Sequence, residues 1–96
     1  MEAQEFMQLH ADNAVAGKMP EVMADLTPES MAQLGPLMVG GPAKATGNSV
    51  KVAGQDGDSH IFDVTYTGDD GKSVSMRDTV KQVDGVWKIV NLASVQ

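Results

Sequence analysis

Cysteine is missing from this sequence altogether. Its absence excludes a disulfide framework, a thiol nucleophile and a thiolate metal site, and leaves the redox compartment unread. Aromatic residues are scarce, with two Phe, one Tyr and one Trp, so each is expected as a core anchor before a stacking platform. Cations are few as well: seven Lys and Arg against thirteen Asp and Glu give a net charge of −6. Binding a phosphate backbone relies on clustered cations that release counterions, so no nucleic-acid partner is expected. No run approaches the ~20 apolar residues of a membrane span, and the N-terminus lacks the basic, apolar, small-residue order of a signal peptide. The expectation is a soluble body without a membrane span, its compartment open between cytoplasm and export after loss of a leader.

What is there suits one fold. A length of 96 residues, 42% apolar and 21% charged, gives one core and no room for a second, so residues 1–96 are read as a single domain. From Ala3 to Val15, Ala3, Phe6, Met7, Ala11, Ala14 and Val15 recur at helical spacing, and Gly17 stands where a glycine ends a helix. Pro20, Val22, Met23 and Leu26 mark a short second helical segment. Thr27, Pro28 and Glu29 open a third through Met31 and Leu34, with Gly35-Pro36 ending or kinking it. Residues 39–48 hold three glycines, a proline and a threonine with little periodicity, a hinge between a helical half (2–38) and a sheet half (49–95). In that second half Gly54-Gln55-Asp56-Gly57, Gly68-Asp69-Asp70-Gly71 and Asp84-Gly85 divide four runs rich in Val, Thr and aromatics. Helices first and hairpins after predict an α+β fold, N-terminal helices packed on a curved four-stranded antiparallel meander.

The turns set a register. A two-residue Asp84-Gly85 loop favours a type I′ hairpin, pairing Val83 with Val86 and, counting outward, Val80 with Ile89, Asp78 with Asn91 and Met76 with Ala93. One face then carries Val74, Met76, Asp78, Val80, Gln82, Trp87, Ile89, Asn91, Ala93 and Val95, and this is the face the helices should cover. In the preceding hairpin, Gly71 as a left-handed bulge residue sets Val64 opposite Val74, Phe62 opposite Met76 and His60 opposite Asp78. On the other face Val83, Val86, Val90 and Leu92 accompany Lys81 and Lys88, an apolar strip that predicts a homodimer through the sheet.

Several of these residues carry a family likeness: Phe6 and His10 on a first helix, the Ala16-Gly17-Lys18 break, Leu26-Thr27-Pro28-Glu29, and Asp84-Gly85-Val86-Trp87-Lys88-Ile89-Val90 closing the meander. The chain resembles the nuclear transport factor 2-like superfamily, which includes ketosteroid isomerase-like and SnoaL-like proteins. The resemblance implies a cystatin-like, cone-shaped roll in which helices close over a curved sheet around a cavity, often in a dimer. It implies no single reaction, since that fold hosts isomerases, dehydratases, transport adaptors and ligand-binding domains. The chain is shorter than typical members, which puts part of the pocket wall in doubt.

Asp78 is the residue that stands out. Between Met76 and Val80 on the apolar face, a carboxylate must raise its pKa or find partners, and the register offers His60 on one neighbouring strand and Asn91 on the other. His10 on the inward side of the first helix reaches toward the same space. The resemblance would make Asp78 a proton-shuttling base, with His60 orienting it and Tyr66 donating to a developing oxyanion. The competing explanation is a polar pair that holds sheet to helix without chemistry. Phe62, Met76 and Trp87 complete the ligand-binding set, and six of the seven methionines lie in the helical half or at its start, where they suit an adaptable apolar lining or plain core filling. Two widely spaced histidines without a local motif make a zinc site a poor reading, and the Asp69-Asp70 turn lacks calcium-loop spacing, so neither metal nor cofactor is expected. The leading functional expectation is a small-ligand or partner-binding domain whose pocket takes a small apolar molecule. Two alternatives stand beside it: a cofactor-free proton-transfer enzyme, isomerase or dehydratase, with Asp78 as base, and a structural interaction domain whose core is filled.

Overall fold

Three helices precede four strands in a computed structural model that describes residues 1–95: α1 (Ala3–Val15), α2 (Met19–Ala24), α3 (Pro28–Leu37), β1 (Gly47–Asp56), β2 (Ser59–Thr67), β3 (Ser73–Val83) and β4 (Val86–Ser94). The fold is α+β, and the sheet is an antiparallel meander in the order β1-β2-β3-β4. No helix among the described residues is long and apolar enough to cross a membrane.

Each helix stops for a local reason. At the end of α1 the Lys18 N–H donates to Asn13 O (2.9 Å) and the Gly17 N–H to Ala14 O (3.2 Å), a Schellman arrangement that needs the left-handed backbone of Gly17 (φ +77). At the start of α3 the Thr27 hydroxyl accepts the Ser30 N–H (3.3 Å), and Pro28 stands at the first helical position, where a missing N–H costs nothing. Gly35-Pro36, expected to end or kink α3, lies inside it, and the helix runs on to Leu37.

The Asp84-Gly85 turn has both residues at positive φ (+53 and +80), as a type I′ hairpin requires, and Val83 pairs with Val86, Gln82 with Trp87 and Val80 with Ile89. There the expected register ends. A bulge leaves Val90 unpaired, so Thr79 faces Asn91, Asp78 faces Leu92 and Met76 faces Ser94. One extra residue inverts every side chain beyond it. Leu92, expected outside, is buried at 4% exposure, while Asn91, expected inside, is exposed. The proposed dimer strip therefore loses Leu92, Val90 is half-buried, and Val83 and Val86 beside the hairpin turn are the exposed remainder.

The β2–β3 register also differs, by two residues. Gly68 N–H donates to Lys72 O (3.1 Å), so the loop closes one pair later than expected, and Val64 faces Met76, Phe62 faces Asp78 and His60 faces Val80. A shift of two preserves which face each side chain takes, so Met76, Asp78 and Val80 are buried as expected, but Gln82 near the turn is exposed and His60 is no longer opposite Asp78.

The core lies between α1 and one face of the sheet, with Met7, Val64, Val80 and Ile89 wholly buried. The α2–α3 connection seals the β4 edge. Ile89 N–H donates to Asp25 O (2.8 Å), Thr27 N–H to Ile89 O (3.1 Å), and the buried Ser30 hydroxyl also donates to Ile89 O (2.7 Å). Farther along, the Leu92 N–H donates to Gln33 Oε1 (2.7 Å). These contacts satisfy the backbone groups of Ile89 and the Leu92 N–H, which blunts this stretch of the edge as a template for another strand. The segment after α3 lies over the β2–β3 loop: Thr46 N–H donates to Thr67 O (2.7 Å), and a Cβ on Gly68 would stand 2.5 Å from Pro42 Cβ, so only glycine admits this approach.

Candidate functional site

Under the helices the packing leaves a cavity of about 300 Å³. Helix α1 contributes His10 and Ala14, α2 contributes Val22 and Met23, and Leu34 of α3 and the Pro42–Ala45 segment close two more sides. The sheet supplies its floor through Tyr66, Met76, Asp78 and Leu92. Exposed Met19, Met38 and Lys44 mark the mouth.

Asp78 is the polar feature of this floor. Its residue exposure is 2%, its neighbours across the strands are Phe62 and Leu92, and its Oδ1 is enclosed without any hydrogen-bond partner. Burial, which strips the carboxylate of hydration, pushes its pKa up to about 8, and the charge of Asp63 adds to the rise. At neutral pH Asp78 therefore holds its proton. Tyr66, also on the floor, has its pKa raised by burial first and then by the charges of Asp78 and Asp12.

His10 is built differently. Its Nδ1 lies 2.8 Å from Asp25 Oδ2, a contact made across the α1–α2 turn that the sequence reading did not anticipate. Burial lowers the His10 pKa, outweighing the hydrogen bond and charge of Asp25, which act in the other direction. A neutral imidazole facing a carboxylate keeps its proton on Nδ1, which leaves Nε2 as an acceptor on a ring that lines the cavity. The ring also stacks against Phe6, with centroids 6.4 Å apart.

The chain matches no family model, no curated protein and no solved structure. Its chemistry is therefore read from its own geometry. The cavity gathers His10, Tyr66, Met76 and Asp78. Four other residues expected at the site lie elsewhere. His60 packs edge-on against Trp87, ring centroids 5.6 Å apart at 78°, toward the β1–β2 and β3–β4 turns. Trp87 donates its indole N–H to Met1 O (2.8 Å). Phe62 is buried in the core beside Asp78, and Asn91 sits outside the bulge, accepting from Gln33 Nε2 (2.9 Å). Leu92 and Asp25 were missed. A signal for Leu92 was present: the assumed alternation put an Asn inside and a Leu outside, the mismatch a bulge repairs.

Proposed function

We propose that this chain is a small-ligand-binding domain whose apolar cavity grips its occupant at Asp78, in a cone-like fold of the kind the nuclear transport factor 2-like resemblance implies. The observation that carries this reading is a carboxyl group 2% exposed, one oxygen unpartnered, on the floor of a cavity of about 300 Å³. A buried polar group without a partner costs ~1–3 kcal/mol, a cost that a purely structural core has no reason to keep. The volume is at the lower end of the ~300–1,000 Å³ of ligand sites, and an apolar wall with few convergent polar groups is their usual build.

Binding is favoured over proton shuttling by Asp78 as a base. A carboxyl group that holds its proton at neutral pH is a donor, and the histidine expected to orient it packs against Trp87 instead. A filled core is disfavoured by the cavity itself.

The test is occupancy and its loss. The purified protein is expected to enhance the fluorescence of N-phenyl-1-naphthylamine, a neutral apolar reporter, and Leu34→Trp, which fills the cavity from α3, is expected to weaken that binding at least ~10-fold while circular dichroism stays unchanged. A reporter signal that survives in Leu34→Trp would place binding elsewhere and sink the reading.

A further inference from the structure

Each buried polar group around the cavity can accept a hydrogen bond, and the neutral Asp78 and Tyr66 each carry an O–H donor as well. Asp78 has an unpartnered oxygen, His10 has its Nδ1 engaged by Asp25 and so offers an acceptor, and the Tyr66 oxygen can accept as well. Among the lining residues the single cation is Lys44, which is exposed at the mouth. The remaining wall is aliphatic or thioether. A site rich in acceptors and lacking its own counter-charge calls for a ligand that brings donors and positive charge on an apolar frame. We propose that the occupant is a protonated amine with an apolar body, its ammonium group seated on Asp78 with the His10 ring and Tyr66 as further acceptors.

This rests on the binding-cavity reading above and specifies its chemistry. The competing ligand is a neutral carbonyl compound. It would take one hydrogen bond from protonated Asp78 and leave the His10 acceptor without a donor. An ammonium group has three N–H donors, enough for both acceptors. The net charge of −6 further raises the local concentration of cations around the molecule. Seating the amine returns Asp78 to its ionised form, so its proton goes to solvent, and the ion pair that remains is a charge-assisted hydrogen bond in a low-dielectric site. The titratable groups facing Asp78 across this space are His10 from α1, Tyr66 from β2 and Lys44 from the segment after α3, with Asp63 acting through its charge. His10 and Tyr66 are both neutral at about pH 7, so the proton released is that of Asp78.

Cyclohexylmethylamine and its neutral counterpart cyclohexylmethanol make the decisive pair, compared by calorimetry in buffers of different ionisation enthalpy. The amine is expected to bind at least ~10-fold tighter than the alcohol, because a charge-assisted hydrogen bond is roughly twice as strong as a neutral one. It should release close to one proton at about pH 7, and the alcohol none. In Asp78→Asn the amine preference is expected to fall to parity while alcohol affinity changes little. Equal binding of the two probes, or amine binding without proton release, overturns the amine assignment and leaves the cavity reading standing. Failure of both probes and of the neutral reporter overturns both. Should Asp78→Asn not fold, the proton count on the unaltered protein decides alone.

Discussion

Asp63 and Asp78 stand on adjacent strands of one sheet and face opposite sides of it, and the protein treats them in opposite ways. On the outer side Asp63 is met by Arg77, whose Nε and Nη2 donate to its two oxygens at 2.8 and 3.0 Å, a bidentate fork that holds the Asp63 carboxyl below its ordinary pKa. Inside, Asp78 has burial without a partner, and its pKa moves up to about 8. Outside, water and a neighbouring cation make a charge easy to keep; inside, the strand neighbours are Phe62 and Leu92 and the charge is expensive. A fold that can furnish a guanidinium for one carboxylate and leaves the other bare shows where its polar requirements are met from within, and where they await something from outside.

The sharpest way to break this contrast is to remove the inner carboxyl. In the unfolded chain Asp78 titrates near 3.8, and in the folded protein near 8. Between those values the folded state holds one more proton than the unfolded state, so this group makes stability fall as pH rises, by ~1.4 kcal/mol per unit. Below the unfolded pKa both states are protonated and the penalty vanishes; above the folded pKa it is complete. Asp78→Val is therefore expected to be more stable than the parent protein, by a margin that widens steadily from about pH 4 to about pH 8 in urea unfolding. Parallel stability curves for the two proteins would show that Asp78 is solvated in solution. His10 contributes with the opposite sign near its unfolded value, since its folded pKa is lowered and stability is lost as pH falls through about 6.5, but that contribution is common to both proteins and cancels in the difference.

A second, smaller effect concerns a buried polar group that does have partners. Ser30 is as buried as Asp78, yet its hydroxyl donates to Ile89 O (2.7 Å) and accepts the Thr27 N–H (3.0 Å). Ser30→Ala removes both bonds at the place where the α2–α3 connection seals the β4 edge. The expected cost is ~1–2 kcal/mol, seen as a lower urea midpoint with an unchanged slope. Opposite signs for Ser30→Ala and Asp78→Val at about pH 7 are what the contrast requires. If both substitutions destabilise, Asp78 has a partner in solution that its enclosed oxygen does not reveal.

Much of this arrangement could be read from residue order. Helix ends followed from Gly17 and from Thr27-Pro28, the Asp84-Gly85 turn fixed the hairpin at its tip, and alternation from that turn through Val80 put Asp78 inside. The β4 bulge left only one trace, the polar Asn91 that strict alternation put inside. Ile89, Val90 and Leu92 are all apolar, so either alternation offers a hydrophobic face, and tertiary packing against the helices chose the one that buries Leu92. The β2–β3 register was underdetermined because Gly68 to Lys72 can close a hairpin at more than one pair, and the choice decided whether His60 or Phe62 stood across from Asp78. The bond from His10 to Asp25 spans 15 positions and depends on the angle at which α2 leaves α1, which a Gly-Lys break announces without specifying.

The smallest effect ties the two carboxylates together. Asp63 raises the Asp78 pKa through its charge, as the second cause after burial, and does so across the thickness of one sheet. Asp63→Asn should therefore lower the Asp78 midpoint from about 8 by a fraction of a unit, followed through the Asp78 side-chain carboxyl carbon by NMR. High salt should produce part of the same shift in the unaltered protein, because the Asp63 side chain is 29% exposed and its field is screened by mobile ions. Burial cannot be screened, so the greater part of the rise should survive both treatments. A midpoint that collapsed to the ordinary carboxylate range on neutralising Asp63 would mean that Asp78 is raised by repulsion and not by its apolar surroundings, and the inner face would then be no drier than the outer one.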